Sequence, residues 1–453
     1  MSTAPHLDDA LLEDEPGSLS FPWTRPVEAW LEGLNRNETP EPEDCRILFV
    51  VDNDFGEFTL VMYFILGQKC FRNARILLSP RLYKRNSGTP DRRLAMWTSE
   101  QDLAENIATW RPRVVVFASA YLFPIHDLLS SEAVGRLCDL CRRVNAVVVT
   151  ADPLLGLLSQ WSTRGLERLI SIDIPPNADQ MLLDAKRIAD AKLHRVFSET
   201  EKILRAAPHL YPSYTEVEGL DPATSDIRNI CFFNEALLLP PHIQNGPTVS
   251  AGPPAGDGSS HWMFTISEAD VFTQSVFMGR DAFIRNVADL LTQTAQLGRH
   301  ALLLAPTEIL QLVARVLVSR ERIHLLPFCS FIRAMSLLLS AEYSFYWNVV
   351  SHSILMQLWN GKPVVLFNRG HLARAAPALY ERVIAWYYQG WEPSYLNHTA
   401  PLSLSALENA TAPYVKNRDN IMARFRRAPS PAGVFHSLLD HAGRPERERS
   451  GLQ

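Results

Sequence analysis

The sequence predicts an α/β protein of two domains, each built on a parallel sheet flanked by helices. Strand-length apolar segments alternate with helix-length segments along most of the chain, and this alternation is typical of parallel sheets. The length of 453 residues is too great for one ordinary core and fits two domains of about 200 residues each. A stretch rich in Pro, Gly, Ser and Asn at 239–260 interrupts the alternation. We therefore expect two domains that face each other across a cleft.

Composition places the domain boundaries. Residues 1–20 are acidic and lack hydrophobic periodicity, so we expect a disordered tail there and a second one at 441–453. The first domain is predicted to span 40–238 and the second 261–440, and the stretch 239–260 is predicted to be a linker between them.

Each predicted element follows from the length and pattern of its apolar residues. Short apolar runs predict buried strands, and longer runs predict helices. In the first domain the predicted strands are 45–51, 75–79, 113–119, 146–151 and 230–233, and the predicted helices are 58–68, 100–110 and 132–143. In the second domain the predicted strands are 262–266, 301–304, 323–327, 343–347 and 363–367, and the predicted helices are 282–297, 308–318, 331–339 and 349–359.

Charge and cysteine usage exclude several classes of protein. A net charge of −5 with interspersed charges gives no basic face, so we expect no nucleic-acid partner. Six cysteines without a regular spacing indicate a reducing compartment, and the pair Cys138-x-x-Cys141 lacks the second pair of a zinc site. The first residues do not have the pattern of a signal peptide, and no uncharged apolar run reaches the roughly 18 residues of a membrane span. We expect a cytoplasmic protein without a transmembrane segment.

The segment 341–371 organises the second domain. A predicted strand leads through a polar turn at Asn348 into the helix 349–359. This helix ends before Gly361, which can take the positive φ that a helix end needs, and the apolar strand 363–367 follows. The N-terminus of a helix in such a unit presents unpaired N–H groups to an anion, so we expect a phosphate to bind there.

The residues Gly361-Lys-Pro363-Val-Val365 resemble the end of the C-terminal motif of the GT-B glycosyltransferase superfamily. In that superfamily a polar turn lies where Asn348 lies, and a hydroxyl at the position of Ser353 contacts the donor pyrophosphate. The resemblance implies two Rossmann-like domains, with a nucleotide-sugar donor on the second half and an unknown acceptor (glycan, protein or small molecule) on the first. The sequence departs from the motif at Val349-Val350, where a Gly-Gly pair is usual, and at Met356, where an acidic residue often holds the donor ribose.

The loop Val51-Asp52-Asn53-Asp54-Phe55-Gly56-Glu57 resembles a loop of the protein-arginine rhamnosyltransferases, which also have the GT-B fold, if one residue is inserted. This resemblance implies that Glu57 takes the place of an acidic residue that acts as the base. Those enzymes carry Arg-Gly-Glu-Asp before the serine that matches Ser353, whereas this chain has Val349-Val350-Ser351-His352. This chain therefore lacks the second motif of the enzymes that use arginine as the acceptor.

Three carboxylates, Asp52, Asp54 and Glu57, lie within six residues between a predicted strand and a predicted helix. Their mutual repulsion can raise the pKa of one carboxyl towards the range of a general base, which glycosyl transfer needs to take the acceptor proton. Alternatively, Asp52 or Asp54 caps the helix and Glu57 favours its positive end. All three are candidate catalytic residues.

Candidates for donor binding follow predicted strands of the second domain, because open α/β sheets bind ligands at that edge. They are Ser267, Glu268, Phe328, Asn348, Ser351, His352, Ser353 and Arg369. Phe328 is expected to contact the nucleobase, and Arg369 is expected to pair with a phosphate. The alternatives are an N-cap for Ser267, a core aromatic for Phe328, a polar helix start for His352 and an exposed loop arginine for Arg369. The basic segment 81–93 is either a solvated surface loop or a site for an anionic acceptor.

Together these patterns predict a glycosyltransferase that moves a sugar from a nucleotide sugar to an unknown acceptor. The letters Asp52-x-Asp54 lie in the acceptor half, and no such metal motif follows a strand of the donor half, so we expect no metal and no cofactor besides the donor substrate. Two alternatives remain open. A sugar-nucleotide epimerase or hydrolase would use the same donor, and a catalytically inactive GT-B-like module would bind a partner in a complex, which Met356 and the missing glycines favour.

Overall fold

The computed structural model contains two six-stranded sheets, and the strand pairs in both are parallel. This architecture of two parallel sheets with connecting helices confirms the predicted fold class. The structure describes residues 21–35, 46–68, 71–87, 91–151, 167, 171–175, 180–204, 207–210, 237–244, 260–427 and 430–442.

The first sheet belongs to the first half of the chain. Its strands are β1 (Ile47–Val51), β2 (Arg75–Leu78), β3 (Leu94–Met96), β4 (Val114–Ala118), β5 (Val147–Ala151) and β6 (His209–Leu210). Their order across the sheet is β3-β2-β1-β4-β5-β6. The helices described in this half are α1 (Arg25–Asn35), α2 (Phe55–Ile65), α3 (Pro80–Asn86), α4 (Glu100–Trp110), α5 (Leu122–Ile125), α6 (Ser131–Arg143) and α7 (Gln180–Leu204).

The second sheet belongs to the second half. Its strands are β7 (His261–Thr265), β8 (His300–Leu304), β9 (Ile323–Leu326), β10 (Tyr343–Tyr346), β11 (Val364–Phe367) and β12 (Tyr395–Leu396), in the order β12-β11-β10-β7-β8-β9. Read from the opposite edge, this is the strand order of the first sheet. The helices are α8 (Pro241–Gln244), α9 (Glu268–Met278), α10 (Arg280–Gln296), α11 (Thr307–Val316), α12 (Phe331–Ser340), α13 (His352–Trp359), α14 (Arg369–Ala375), α15 (Pro377–Trp386), α16 (Leu404–Arg427) and α17 (Pro431–Ala442).

The central strands form where both of their faces are buried. Along β1, Ile47, Phe49 and Val51 join one hydrophobic core and Leu48 and Val50 join another, as the two-residue period of a strand requires. All five side chains are fully buried. A strand with two apolar faces belongs inside a parallel sheet, and β1 accordingly pairs with β2 on one side and with β4 on the other.

The two halves share a hydrophobic core. Phe331, on α12 of the second half, meets Tyr63 of α2 edge to face with ring centroids 5.6 Å apart. The backbone N–H of Phe331 donates to Asn86 Oδ1 of α3 at 3.0 Å. The Tyr63 hydroxyl lies 2.9 Å from Met335 Sδ, one turn further along α12. The halves therefore cannot separate at this contact without exposing buried apolar surface to water.

The start of the described chain also packs on the second half. Trp23 Nε1 donates to His261 Nδ1 at 2.9 Å, and Arg333 of α12 lies 3.6 Å from a carboxylate oxygen of Glu28 on α1. Residues 21–35 therefore precede the first sheet in sequence but lie against the half that holds the second.

The sequence pattern also predicts a short strand at 170–174, which is wrong over the described residues 171–174, where no strand forms. The other predicted strands that fall on described residues agree with the observed ones to within two residues at each end. The sequence analysis missed β3, β6 and β12, which are only two or three residues long and too short to carry a pattern. The surface-loop prediction for 81–93 is wrong over 81–86, which belong to α3 (Pro80–Asn86). This helix forms because Pro80 suits a first helical position and because Leu82 and Asn86 are buried.

Part of the predicted linker packs against the second half. Leu239 is buried, and its N–H donates to Asn360 Oδ1 at 2.7 Å. The Asn360 amide in turn donates to Leu237 O at 3.2 Å. The rest of that stretch, 245–259, lies outside the described residues, so the domain boundary there stays a prediction.

Other predicted features also lie outside the described residues. They include the tail 1–20, the tail from 443 onward and the strand 230–233. Within the part of the chain that the structure describes, no helix combines the length and the apolar character needed to cross a membrane.

Replacing Asn360 with alanine tests how the segment before α8 is held. Asn360→Ala leaves the buried N–H of Leu239 without its acceptor, so we expect the free energy of unfolding to fall by about 1–3 kcal/mol. Urea denaturation measures the change. The control is Asn417→Ala, which removes only a bond to Pro413 O within α16 and should change stability by less than about 0.5 kcal/mol. Equal stability of the two variants would contradict the assignment.

Candidate active site

Both sheets have a switch point, the place where the connections on either side of a strand pair run in opposite directions. In the first sheet it lies between β1 and β4, and in the second between β7 and β10. Loops that leave neighbouring strands to opposite sides open a crevice at the carboxyl ends of those strands. The polar residues after these four strands therefore form the candidate site.

At the first switch point a buried carboxylate holds a histidine. Asp52 follows β1 and is fully buried, and its Oδ2 lies 2.5 Å from Nδ1 of His126. His126 follows α5, in the connection after β4, and a third of its side chain is exposed. Asp52 Oδ1 also accepts from the backbone N–H of Asp54 at 2.9 Å. The carboxylate thus fixes both the imidazole and the start of the next loop.

The titration of these groups follows from their contacts. The hydrogen bond to Asp52 raises the pKa of His126 above its ordinary value, and the charges of Asp52 and Asp54 add to the effect while burial opposes it. Asp54 is exposed to solvent, and protein atoms lie close around its carboxyl group. Desolvation raises the pKa of Asp54, and the charge of Asp52 raises it further. The site therefore holds a titrating imidazole between two carboxyl groups.

Asp54 and Glu57 have different surroundings. Asp54 is the N-cap of α2, and its side chain accepts from the Gly56 N–H at 2.6 Å. A Cβ at Gly56 would lie 3.0 Å from that Asp54 oxygen, so a larger residue would strain the cap. Glu57, in the first turn of α2, is only 2% exposed. The carboxylate with the more accessible side chain is thus the helix cap.

At the second switch point a buried carboxylate holds an asparagine. Ser267 caps α9 in a capping box with Asp270, whose carboxylate accepts from the backbone and hydroxyl of Ser267 at 2.8 Å each. The same carboxylate accepts from Asn348 Nδ2 at 2.9 Å. Ser267 therefore has the N-cap role that was the alternative to donor binding.

Asn348 shapes the turn that begins α13. Its Oδ1 accepts from the backbone N–H groups of Val350 and Ser351, both at 3.0 Å. The hydroxyls of Ser351 and Ser353 lie 2.8 Å apart, and Ser351 is the N-cap residue of the helix although its side chain makes no capping hydrogen bond. Two hydroxyls and the first N–H groups of α13 therefore lie together at the positive end of the helix.

His352 brings the two switch points together. This residue of α13 is 9% exposed, and its imidazole donates a hydrogen bond to the carbonyl of Gly56 in the carboxylate loop. Burial lowers the pKa of His352 to about 4, so the ring is neutral at pH 7. The N-terminus of α13 therefore lies against the loop that carries Asp54 and Glu57.

The remaining candidates lie elsewhere along the same edge. The ring of Phe328 is nearly parallel to that of Phe55 from the first half, with centroids 6.4 Å apart. The Glu268 side chain is mostly exposed and lies 3.4 Å from the guanidinium of Arg81. Arg369 is the first residue of α14, after β11. Phe328 and Glu268 thus line the junction of the halves.

The sequence analysis missed His126. No motif surrounds it, and 74 residues separate it from Asp52. The signal that could have found it is topological, because the residues after β1 and β4 meet whenever those strands are neighbours. A search for titratable residues after the fourth predicted strand in the order of the sheet would have included it.

No protein-family model and no curated protein matches the chain. Among solved structures, UDP-N-acetylglucosamine 2-epimerase from Rickettsia bellii is 9% identical, covers 89% of this chain and 99% of its own, and has a TM-score of 0.46. Glycosyltransferase VinC in complex with dTDP is 13% identical, covers 88% and 100%, and has a TM-score of 0.45. The calicheamicin glycosyltransferase CalG4 is 15% identical, covers 90% and 97%, and has a TM-score of 0.40.

Such low identities and TM-scores say nothing about what this chain does. The class of the protein rests on its own strand order and on the two facing switch points. These give an α/β protein of two parallel sheets, each with a switch point of the kind at which open sheets bind ligands.

The Asp52–His126 pair can be tested by titration. In the wild type the imidazole of His126 should titrate above its ordinary pKa of 6.5, and in Asp52→Asn the pKa should fall because the favourable charge is gone. NMR of the histidine ring protons measures both values. Asp127→Asn is the control, since Asp127 is adjacent in sequence but exposed and paired with Lys192. An unchanged pKa of His126 in Asp52→Asn would show that Asp52 does not act on this imidazole.

Proposed function

We propose that this protein is a glycosyltransferase that binds a nucleotide-sugar donor on its second half and an acceptor on its first. The observation that carries the proposal is the Asp52–His126 pair, which lies at the switch point opposite the N-terminus of α13. The contact between His352 and Gly56 joins the two regions. A proton acceptor and an anion site therefore face the same cleft.

The donor diphosphate would bind at the start of α13. The first N–H groups of α13 carry partial positive charge, and the hydroxyls of Ser351 and Ser353 lie beside them. Asn348 holds this turn in place while Asp270 orients the asparagine. Met356 is fully buried, so it does not contact the donor ribose.

His126 is the proposed general base. Its Nδ1–H donates to Asp52, which leaves Nε2 as the atom that accepts a proton. In the reaction the acceptor nucleophile forms a bond to the anomeric carbon, its proton passes to Nε2, and the bond from that carbon to the donor phosphate oxygen breaks. The charge that develops on the leaving diphosphate is stabilised by the positive end of α13.

This assignment moves the base from the position first expected. Glu57 is buried beneath the loop, whereas His126 is partly exposed and its pKa lies above the ordinary imidazole value. Asp54 would remain the helix cap and supply negative charge near the imidazolium that forms. The assembled Asp52–His126 pair favours an enzyme over an inactive binding module.

Donor binding can be tested at Ser353. Ser353→Ala removes one hydroxyl that would bond a charged phosphate, so affinity for the nucleoside diphosphate should fall by about 1.5–3 kcal/mol. Isothermal titration with UDP, dTDP, GDP and ADP first selects the nucleotide and then compares the variants. The control is Ser405→Ala, an exposed serine outside the candidate site. If the two variants bind alike, the donor phosphates do not lie at α13.

Catalysis can be tested at His126. His126→Gln should lower turnover by a factor on the order of 10²–10⁴ while nucleotide affinity is kept, because only the proton acceptor is lost. Donor hydrolysis or transfer at saturating nucleotide sugar is the measurement. Turnover by Glu57→Gln and Asp54→Asn tests the two carboxylates first considered as the base. Asp127→Asn is the control.

The pH profile gives an independent readout of the same base. His126 must be neutral to accept a proton, so the wild-type rate should fall as pH drops through its raised pKa. In Asp52→Asn the acidic limb should move to lower pH. A fully active His126→Gln would place the base elsewhere, and a wild type that binds nucleotide but neither hydrolyses nor transfers sugar would favour the binding module.

A further inference from the structure

A pair of arginines on α3 lies beside the candidate site. Arg81 and Arg85 are four residues apart on one helix, so they share a face. Burial lowers the pKa of the Arg85 guanidinium, and repulsion from Arg81 lowers it further. Like charges at this spacing destabilise a helix slightly, so helix stability does not explain the pair.

Arg85 is held without a contacting carboxylate. Its guanidinium lies over the ring of Phe328, 5.5 Å from the centroid, and Phe328 in turn stacks on Phe55. Within the described residues, Arg85 makes no hydrogen bond and has no acid at ion-pair distance. Asp54 and Glu268 face it from further away. A half-buried guanidinium with free donors is costly unless an anion satisfies it.

Arg81 has a partner that a ligand can displace. Its bond to Glu268 is 3.4 Å long, and both side chains are at least half exposed. Such exposed pairs contribute little to stability. The charge of Arg81 also acts on His126, which places the arginine on the side of the proposed base.

We propose that Arg81 and Arg85 bind an anionic group, a carboxylate or a phosphate, on the acceptor. Guanidinium groups match both anions in shape and charge. The pair lies on α3 of the first half, so an acceptor held there by its anion would place its nucleophile near His126. This inference rests on the proposed function and specifies the chemical class of its acceptor.

Inorganic phosphate is the probe. Thermal melts in phosphate and in chloride at equal ionic strength and pH measure the shift that phosphate causes in the full chain, because a bound ligand stabilises the folded state. In Arg81→Gln and Arg85→Gln we expect the apparent Kd for phosphate to rise roughly 10-fold and the shift to be lost. The control is Lys84→Gln, which removes the same charge from an exposed position of the same helix and should keep the shift.

The same melts at saturating nucleoside diphosphate separate acceptor from donor. With the donor site filled, the phosphate shift should persist in the wild type and remain absent in the arginine variants. A phosphate shift that disappears in the presence of nucleotide assigns the arginines to the donor and overturns the proposal. An unchanged shift in both arginine variants also overturns it.

Because Arg81 is exposed, Arg81→Gln alone tests whether the pair binds phosphate if Arg85→Gln fails to fold. If no nucleotide binds in any sample, the proposed function fails, and the melts without nucleotide still decide whether the pair binds an anion.

Discussion

The constraint on which the rest of the structure depends is the direction of its strands. Both sheets are parallel and have the same strand order, so each gathers the loops of its first and fourth strands at one edge. The hydrogen bond from His352 to Gly56 brings the two edges together. Polar residues that are far apart in sequence, such as Asp52 and His126, meet only because of this topology.

At both switch points a buried carboxylate positions a side chain that follows the fourth strand, but the two side chains differ in chemistry. In each, a buried carboxylate, Asp52 or Asp270, accepts hydrogen bonds from the loop after the fourth strand. Buried carboxylates are costly unless such bonds satisfy them, so each also fixes the geometry of its partner. Asp52 holds an imidazole whose pKa it raises, whereas Asp270 holds an amide that shapes a turn. The proposed proton acceptor and the proposed anion site therefore lie on opposite halves.

The sequence was informative wherever local pattern decides structure. Apolar runs located the central strands because both faces of those strands are buried, and Ser267 was recognised as a possible cap from its position before a helix. Short edge strands such as β12 carry too few residues for a pattern. His126 was not predicted because its role depends on which strands are neighbours. The helix α3 was not predicted because its basic residues resemble those of a surface loop. The alternation of apolar segments correctly predicted two parallel sheets, but none of the recognised motifs included the histidine.

The contacts between the halves differ in how easily they open. Tyr63, Phe331 and Met335 lie in a shared core, and separating them would expose apolar surface to water. The bond between Arg81 and Glu268 is long and exposed, so breaking it costs little. Separating the halves is therefore less costly at the contact between Arg81 and Glu268 than at the core around Tyr63 and Phe331. The proposed anion site on Arg81 and Arg85 therefore lies beside the weaker of these two contacts between the halves.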